Sequence, residues 1–299
     1  MVLPVTMGMV VDSIPLAPPR VSLVTSVDVA TGDGDWLSGI AFGPEPCGPP
    51  PQPYWWSCPQ GDGGTPQQVF GALENGIDTK QVPAPESIVH YQPYDVWLGI
   101  RCGNMAIRSG EYQTKARQAM DAFQSALIET ELWTGAIAQA AGFPNDYLEN
   151  SPTELNSGTA APIISALGEM EQGLAECQPG QIGVIHAQPR VVNAWIAYNL
   201  VQAEASGRRL RTQLGTIVVP GGGYPGTGNG VASPGVASSY IYGTGMVRVY
   251  LGDIATIPEG GIEVDRATND QVIRVERTVA AVWDECCQLA IEVDLSKAL

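Results

Sequence analysis

The chain has 299 residues, 44 per cent of them hydrophobic and only 15 per cent charged, with 35 glycines and 24 prolines. That length supports one large or two medium domains with a sizeable core, and the hydrophobic share excludes a disordered chain. A net charge of −16, from 31 acids and 15 bases, excludes a surface that grips nucleic-acid phosphates as a whole, because such binding needs Lys and Arg to displace counterions.

Residues 1–33 read as an extended arm, with several prolines, alternating Val and Leu, and the turn "TGDGD". They lack the positively charged region and the cleavage site of a signal peptide, so the chain is expected to stay in a cytoplasm. No apolar run reaches the roughly 18 residues of a membrane span. Residues 34–103 carry two strand-bearing limbs, "WLSGIAFGPEPCG" and "SIVHYQPYDVWLGIRCG", around a Pro-rich and polar stretch. Trp36, Trp55, Trp56 and Trp97 fall here, four of the seven tryptophans. So much aromatic surface on an arm packs either on its own domain or on a partner.

The spacing predicts a long amphipathic helix over 109–142, with Ala116, Ala119, Met120, Phe123, Ala126, Leu127 and Leu132 on its apolar stripe. Ser109 suits its N-cap, Gly135 is a candidate break and Gly142 a candidate end. A second helix is expected over 161–177, with Ile163, Ile164, Leu167, Met170 and Leu174 facing inward. Then come a short strand ending in Pro189, a helix in "RVVNAWIAYNLVQ", a basic turn at Arg208, Arg209 and Arg211, and a strand "TIVVP". After a glycine-rich loop, "SSYIYGTGMVRVYLGDIATI" and "DQVIRVERTVAAVWDECCQLAIEVDL" read as strand-rich segments joined by "PEGGIEVDRATN". In the second, Val272, Arg274, Glu276 and Thr278 alternate with Ile273, Val275 and Arg277, the pattern of a half-buried strand.

None of these elements carries a recognisable active site. In "VVPGGGYPGTGNG", Gly221, Gly223 and Gly226 fit a literal GxGxxG. A dinucleotide fingerprint must open a helix, and the residues after this loop do not form one. Asn229 also stands where a phosphate-binding loop needs lysine. The stretch Gly221, Gly222, Gly223, Tyr224 and Gly226 is therefore expected to be a flexible connection. Of the two histidines, His186 lies in an apolar strand and reads as a satisfied core residue, while His90 sits in the aromatic arm. Glu129 and Glu131 are two apart on a helix and face different ways. The six cysteines contain no C-x-x-C, so neither a metal site nor any cofactor is expected. Cys47 and Cys58 can pair in an oxidising setting, buried free thiols being the alternative, and the vicinal Cys286–Cys287 pair is expected to face opposite ways in a strand.

The order of parts, and above all "GVIHAQPRVVNAWI", "GRRLRTQLGTIVVPGGGYPG", "GTGMVRVYLGDIATIPEGG" and "NDQVIRVERTVAAVWDECCQLAIEVDL", resembles the major capsid proteins of tailed bacteriophages of the Hong Kong 97 type. The ending is similar to that in actinobacteriophages. The resemblance implies an α+β fold with an N-arm (1–33), an extended loop (34–103), a peripheral domain with a long spine helix (104–150), an axial domain (151–240) and peripheral return strands (241–299). It implies self-assembly into hexamers and pentamers of an icosahedral head enclosing double-stranded DNA without specific binding. A virion protein assembled in the bacterial cytoplasm follows, with a separate scaffolding protein, a portal and a decoration protein as partners and no membrane. Trp36, Trp55, Trp56, Trp97, Glu259, Glu263, Asp265 and Arg266 become expected intersubunit contacts, and the glycine loop lies at capsomer centres. Some relatives carry an isopeptide cross-link. Here the lysines are Lys80, Lys115 and Lys297, and no partner asparagine is evident. An encapsulin-like compartment shell and a phage connector or tail protein are the competing readings.

Overall fold

Among the described residues the strands form two large sheets and two separate two-stranded pairs, and the central strands of the larger sheet are the most continuously apolar. The computed structural model describes residues 17–32, 34–42, 54–56, 68–70, 89–103, 109–178, 180–228, 230, 237–258, 263–265, 270–283 and 287–296. In chain order come the single-turn helix α1 (Leu23–Ser26), β1 (Asp28–Thr31), β2 (Ile40–Phe42), β3 (Tyr54–Trp56), β4 (Gln68–Phe70) and β5 (Val89–Tyr91). β6 (Tyr94–Gly103) leads to α2 (Ser109–Thr134), α3 (Ala136–Ala141), β7 (Thr153–Glu154), β8 (Ala161–Pro162) and α4 (Ile163–Cys177). β9 (Val184–Ala187), α5 (Pro189–Ala197), β10 (Val201–Ala203), β11 (Leu210–Thr212) and β12 (Ile217–Pro220) follow. The remaining strands are β13 (Ser238–Thr244), β14 (Val247–Leu251), β15 (Ala255–Ile257), β16 (Glu263–Asp265), β17 (Asp270–Trp283) and β18 (Gln288–Asp294).

β17 is the axis of the first sheet. β14, β15 and β16 pair antiparallel along one side of it, β6 pairs along the other, and β1 adds parallel to β14. The predicted alternation appears here: Ile273 and Val275 are buried while Arg274 is exposed. The second sheet runs β10-β11-β12-β9-β13-β18-β7, with β8 also on β18. Its central strands are apolar on both faces. Val184, Ile217, Val219, Tyr240 and Tyr242 join one core with α2 and the first sheet, while Ile185, Val218, Ile241 and Ile291 join a second core under α4 and α5. This sheet therefore separates the two cores.

The helices follow from local signals. α2 ends where Gly135 adopts a left-handed φ of 61°, and α3 ends on Gly142 with φ 71°, a conformation that favours glycine. Glu131 accepts the Ile137 and Ala138 N–H groups at 2.7 and 2.8 Å, supplying acceptors for the exposed start of α3. Pro189 is the first residue of α5, where its missing N–H costs nothing. Two residues assigned to apolar stripes turn outward instead: Phe123 on α2 and Ile164 on α4 are both exposed. α2 buries Ala116, Met120, Ile128, Leu132 and Trp133, a face rotated from the one the spacing suggested.

The last two strands, expected to return together to one unit, part company. β17 serves the first sheet, while β18 crosses to the second and pairs with β13 through seven residues. Apolar content on both faces sends β18 between two covering layers, whereas β17 alternates over 273–276 and is buried on both faces only over its last five residues, 279–283.

Candidate functional site

The largest change from expectation is the glycine loop. Residues 221–228 are packed, not loose. Gly221 N–H donates to Ala187 O, Gly223 N–H to Glu129 Oε2 at 2.9 Å, and Thr130 Oγ1 to Gly223 O at 2.9 Å. A Cβ on Gly223 would lie 2.0 Å from Ala126 O of α2, so glycine is needed for this close approach. Gly226 combines a φ of 74° with Gln188 directly beside it. Tyr224 is buried: its ring lies 4.9 Å from Trp133, and its hydroxyl is 2.8 Å from His186 Nδ1. Trp133 also meets Tyr242 edge-on at 4.7 Å and donates to Glu149 Oε1 at 3.0 Å. The glycine count suggested freedom because composition does not register what backbone lies alongside. Here the small residues permit contact with a helix.

Glu129 sits at this junction. Its Oε1 accepts Leu23 N–H at 2.9 Å, so one carboxyl joins the amino-terminal segment, the long helix and the glycine turn. Burial pushes its pKa up to about 7, opposed by N–H groups of Leu23, Gly223 and Gly222. His186 is fully buried and its other nitrogen is 3.0 Å from Thr244 Oγ1. Burial pushes its pKa down to about 3, so it is a neutral, hydrogen-bonded core histidine. Tyr224 links the two groups: its hydroxyl meets His186, and the N–H of the preceding Gly223 donates to Glu129. Among the described residues no group of three or more His, Cys, Asp or Glu side chains converges as metal ligands, and no helix is long and apolar enough to cross a membrane.

The surface offers more than the interior. On the outer face of the first sheet, Asp95, Trp97, Gly99 and Arg101 alternate outward from β6. Trp97 is 58 per cent exposed, with its ring against Gly99 and its backbone opposite Glu276. Arg274 and Glu276 pair at 3.0 Å, and Thr278 Oγ1 donates to Asp95 Oδ1 at 2.7 Å. Trp36 behaves differently: its Nε1 donates to Gly32 O at 3.1 Å and its ring tilts against Tyr250 at 5.6 Å, within its own chain. Trp55 lies in β3, paired with β4, and Glu263 and Asp265 lie in β16, opposite Val272 and Asp270. The side chains of Trp55, Trp56, Glu263 and Asp265, and all of Glu259 and Arg266, lie outside the described residues. A second exposed set that the sequence did not single out is Ile196, Tyr198 and Leu214, with Leu214 80 per cent exposed at the β11–β12 turn.

A disulfide joins Cys177, at the end of α4, to Cys287, just before β18, with Cα atoms 5.7 Å apart. The pair weighed from sequence, Cys47 and Cys58, lies outside the described residues. Cys287 is fully buried ahead of its strand, not alternating within one. A bond spanning 110 residues leaves no local spacing signal.

No family model and no curated protein matches the sequence. Solved structures do match in fold. The capsid of an empty GTA particle aligns at a TM-score of 0.53 and 10% identity, covering 98% of this chain and 95% of that one. Gordonia phage Cozz gives a TM-score of 0.52 at 13% identity, covering 97% and 91%. The capsid of Ralstonia phage GP4 gives 0.51 at 10% identity, covering 97% and 96%. Over nearly its whole length, then, this chain has the fold of phage capsid proteins.

Proposed function

We propose that the chain is the major capsid protein of a tailed phage, building hexamers and pentamers of an icosahedral head around double-stranded DNA. The observation that carries this reading is the end-to-end fold likeness to phage capsids, which covers 97–98% of the chain and leaves no added domain to explain. The role is structural and needs no catalytic centre: many modest interfaces sum over many copies. In this reading 1–33 is the N-arm, 34–103 the loop reaching a neighbouring subunit, 104–150 the spine-helix unit and 151–240 the axial unit. Residues 241–299 are the return strands, with β18 assigned to the axial sheet.

Trp97 and its exposed neighbours on β6 suit an intersubunit contact, because exposed aromatic side chains supply much of the burial at interface centres. Trp55, Trp56, Glu259, Glu263, Asp265 and Arg266 are proposed as further contacts, and Trp36 as a brace behind them. A separate scaffolding protein, a portal and a decoration protein are the expected partners during assembly in the host cytoplasm. The net charge of −16 suits a wall that does not hold packaged DNA and slow its exit.

Negative-stain electron microscopy of the protein expressed alone, with light scattering on the same sample, tests the reading. Closed icosahedral particles are expected. Rings or tubes would point instead to a connector or tail component. A species that stays small even with scaffold candidates supplied would overturn the capsid reading.

A further inference from the structure

We propose that the Cys177–Cys287 bond is a post-assembly lock: an open dithiol while the shell is built, closed by oxidation once the particle leaves the cell. The timing rests on the capsid reading, since reducing cytoplasm keeps thiols open and an extracellular particle meets oxidants. The geometry is independent of it. The two Cα atoms are 5.7 Å apart, inside the range a disulfide needs without backbone movement. Cys287 belongs to the core under α4 and Cys177 packs against it, where a Cβ on Gly173 would approach Leu289 to 2.8 Å. Helix and strand are thus held together by close packing as well as by the bond.

The bond closes a ring from residue 177 to residue 287. That ring contains β9 to β13 of the second sheet and β14 to β17 of the first, so one covalent closure restrains both sheets.

Access sets the order of the chemistry. Cys287 is fully buried and Cys177 only partly. The Cys177 thiolate attacks one sulfur of a low-molecular-weight disulfide and expels one thiolate, leaving a mixed disulfide. The Cys287 thiolate then attacks Cys177 Sγ and expels the second. The two protein thiols lose two electrons and two protons, and the small disulfide leaves as two thiols.

The test is alkylation after acid quenching, followed by peptide mass mapping, on protein in cells and on isolated protein before and after oxidised glutathione. Free Cys177 and Cys287 are expected in cells and a linked peptide pair after glutathione. The melting temperature is expected to rise by roughly 5–10 °C on oxidation, given the length of the closed loop. Cys287→Ala should abolish the rise and Cys286→Ala should keep it. If Cys287→Ala does not fold, oxidised and reduced wild type still carry the comparison. A bond already present in quenched cells, thiols that stay open in glutathione, or an unchanged melting temperature would each overturn the lock. Particle formation is scored separately in the microscope: shells absent even with scaffold candidates supplied, together with a normal thiol conversion, would overturn the capsid reading and leave the bond's geometry and chemistry standing.

Discussion

β6, at the edge of the first sheet, and β9, in the middle of the second, both feed a core, yet their surroundings are opposite. All four residues of β9 are buried, because α4 and α5 cover one face of its sheet and the α2 core covers the other. β6 hides Tyr94 and Val96 but turns Asp95, Trp97, Gly99 and Arg101 outward. A sheet covered twice has its contacts within the chain. Along β6 and the adjoining Arg274 of β17 the first sheet keeps an exposed face, so that is where association is expected.

Four experiments break or sharpen that contrast. The largest effect is expected from Gly223→Val, which drives a branched side chain into the α2 backbone at Ala126. A loss of about 4 kcal/mol or more, or failure to fold, should appear in thermal melts; near-wild-type stability would mean that the turn detaches easily. Next, Ile273→Ala removes a side chain on the covered face of β17 and should cost about 3 kcal/mol in urea unfolding. A cost under about 1 kcal/mol would show that this face is not a packed core.

The third effect is a pH dependence with two opposing parts. The fold favours protonated Glu129, so its contribution is complete below about 4.5 and is lost as pH rises through about 7. The fold favours neutral His186, so its contribution is complete above about 6.5 and is lost as pH falls toward about 3. Between about pH 4.5 and 6.5 the two slopes, each near 1.4 kcal/mol per unit, offset each other. Glu129→Gln leaves only the histidine's slope, so the variant should lose on the order of 3 kcal/mol between pH 6.5 and 4.5 in denaturant midpoints. An equally flat profile in variant and wild type would refute this pairing.

The smallest effect on the isolated chain is expected from Trp97→Ala, within about 0.5 kcal/mol by thermal melt, since the indole is mostly in water. Assembly should respond far more, by about tenfold or more in the concentration needed for particles, as for a residue at the centre of an interface. Unchanged assembly would place the contact surface elsewhere, with Leu214 and Tyr198 the next residues to try.

These contrasts also show what a sequence transmits. The break at Gly135, the proline that starts α5 and the alternation along β17 are local: each depends on backbone angles or on a two- or three-residue period. The docking of Gly223 on Ala126, the reach of Glu129 to Leu23 and the Cys177–Cys287 bond join positions about 97, 106 and 110 residues apart, and loop closure at such distances has no periodic signature. The same limit explains the misplaced β18. Its apolar pattern was plain, but the sheet it enters is chosen by partners far upstream.

That placement of β18 has a consequence in time. Among the described residues, β7 and β8, near residue 153 and residue 161, pair only with a strand that ends at Asp294. A chain emerging from the ribosome can form α2 and the β9–β12 portion early, but the sheet between the two cores stays open until residue 294 has cleared the exit. On the capsid reading, a chain whose β18 has not yet emerged lacks this sheet and is a poor partner for assembly.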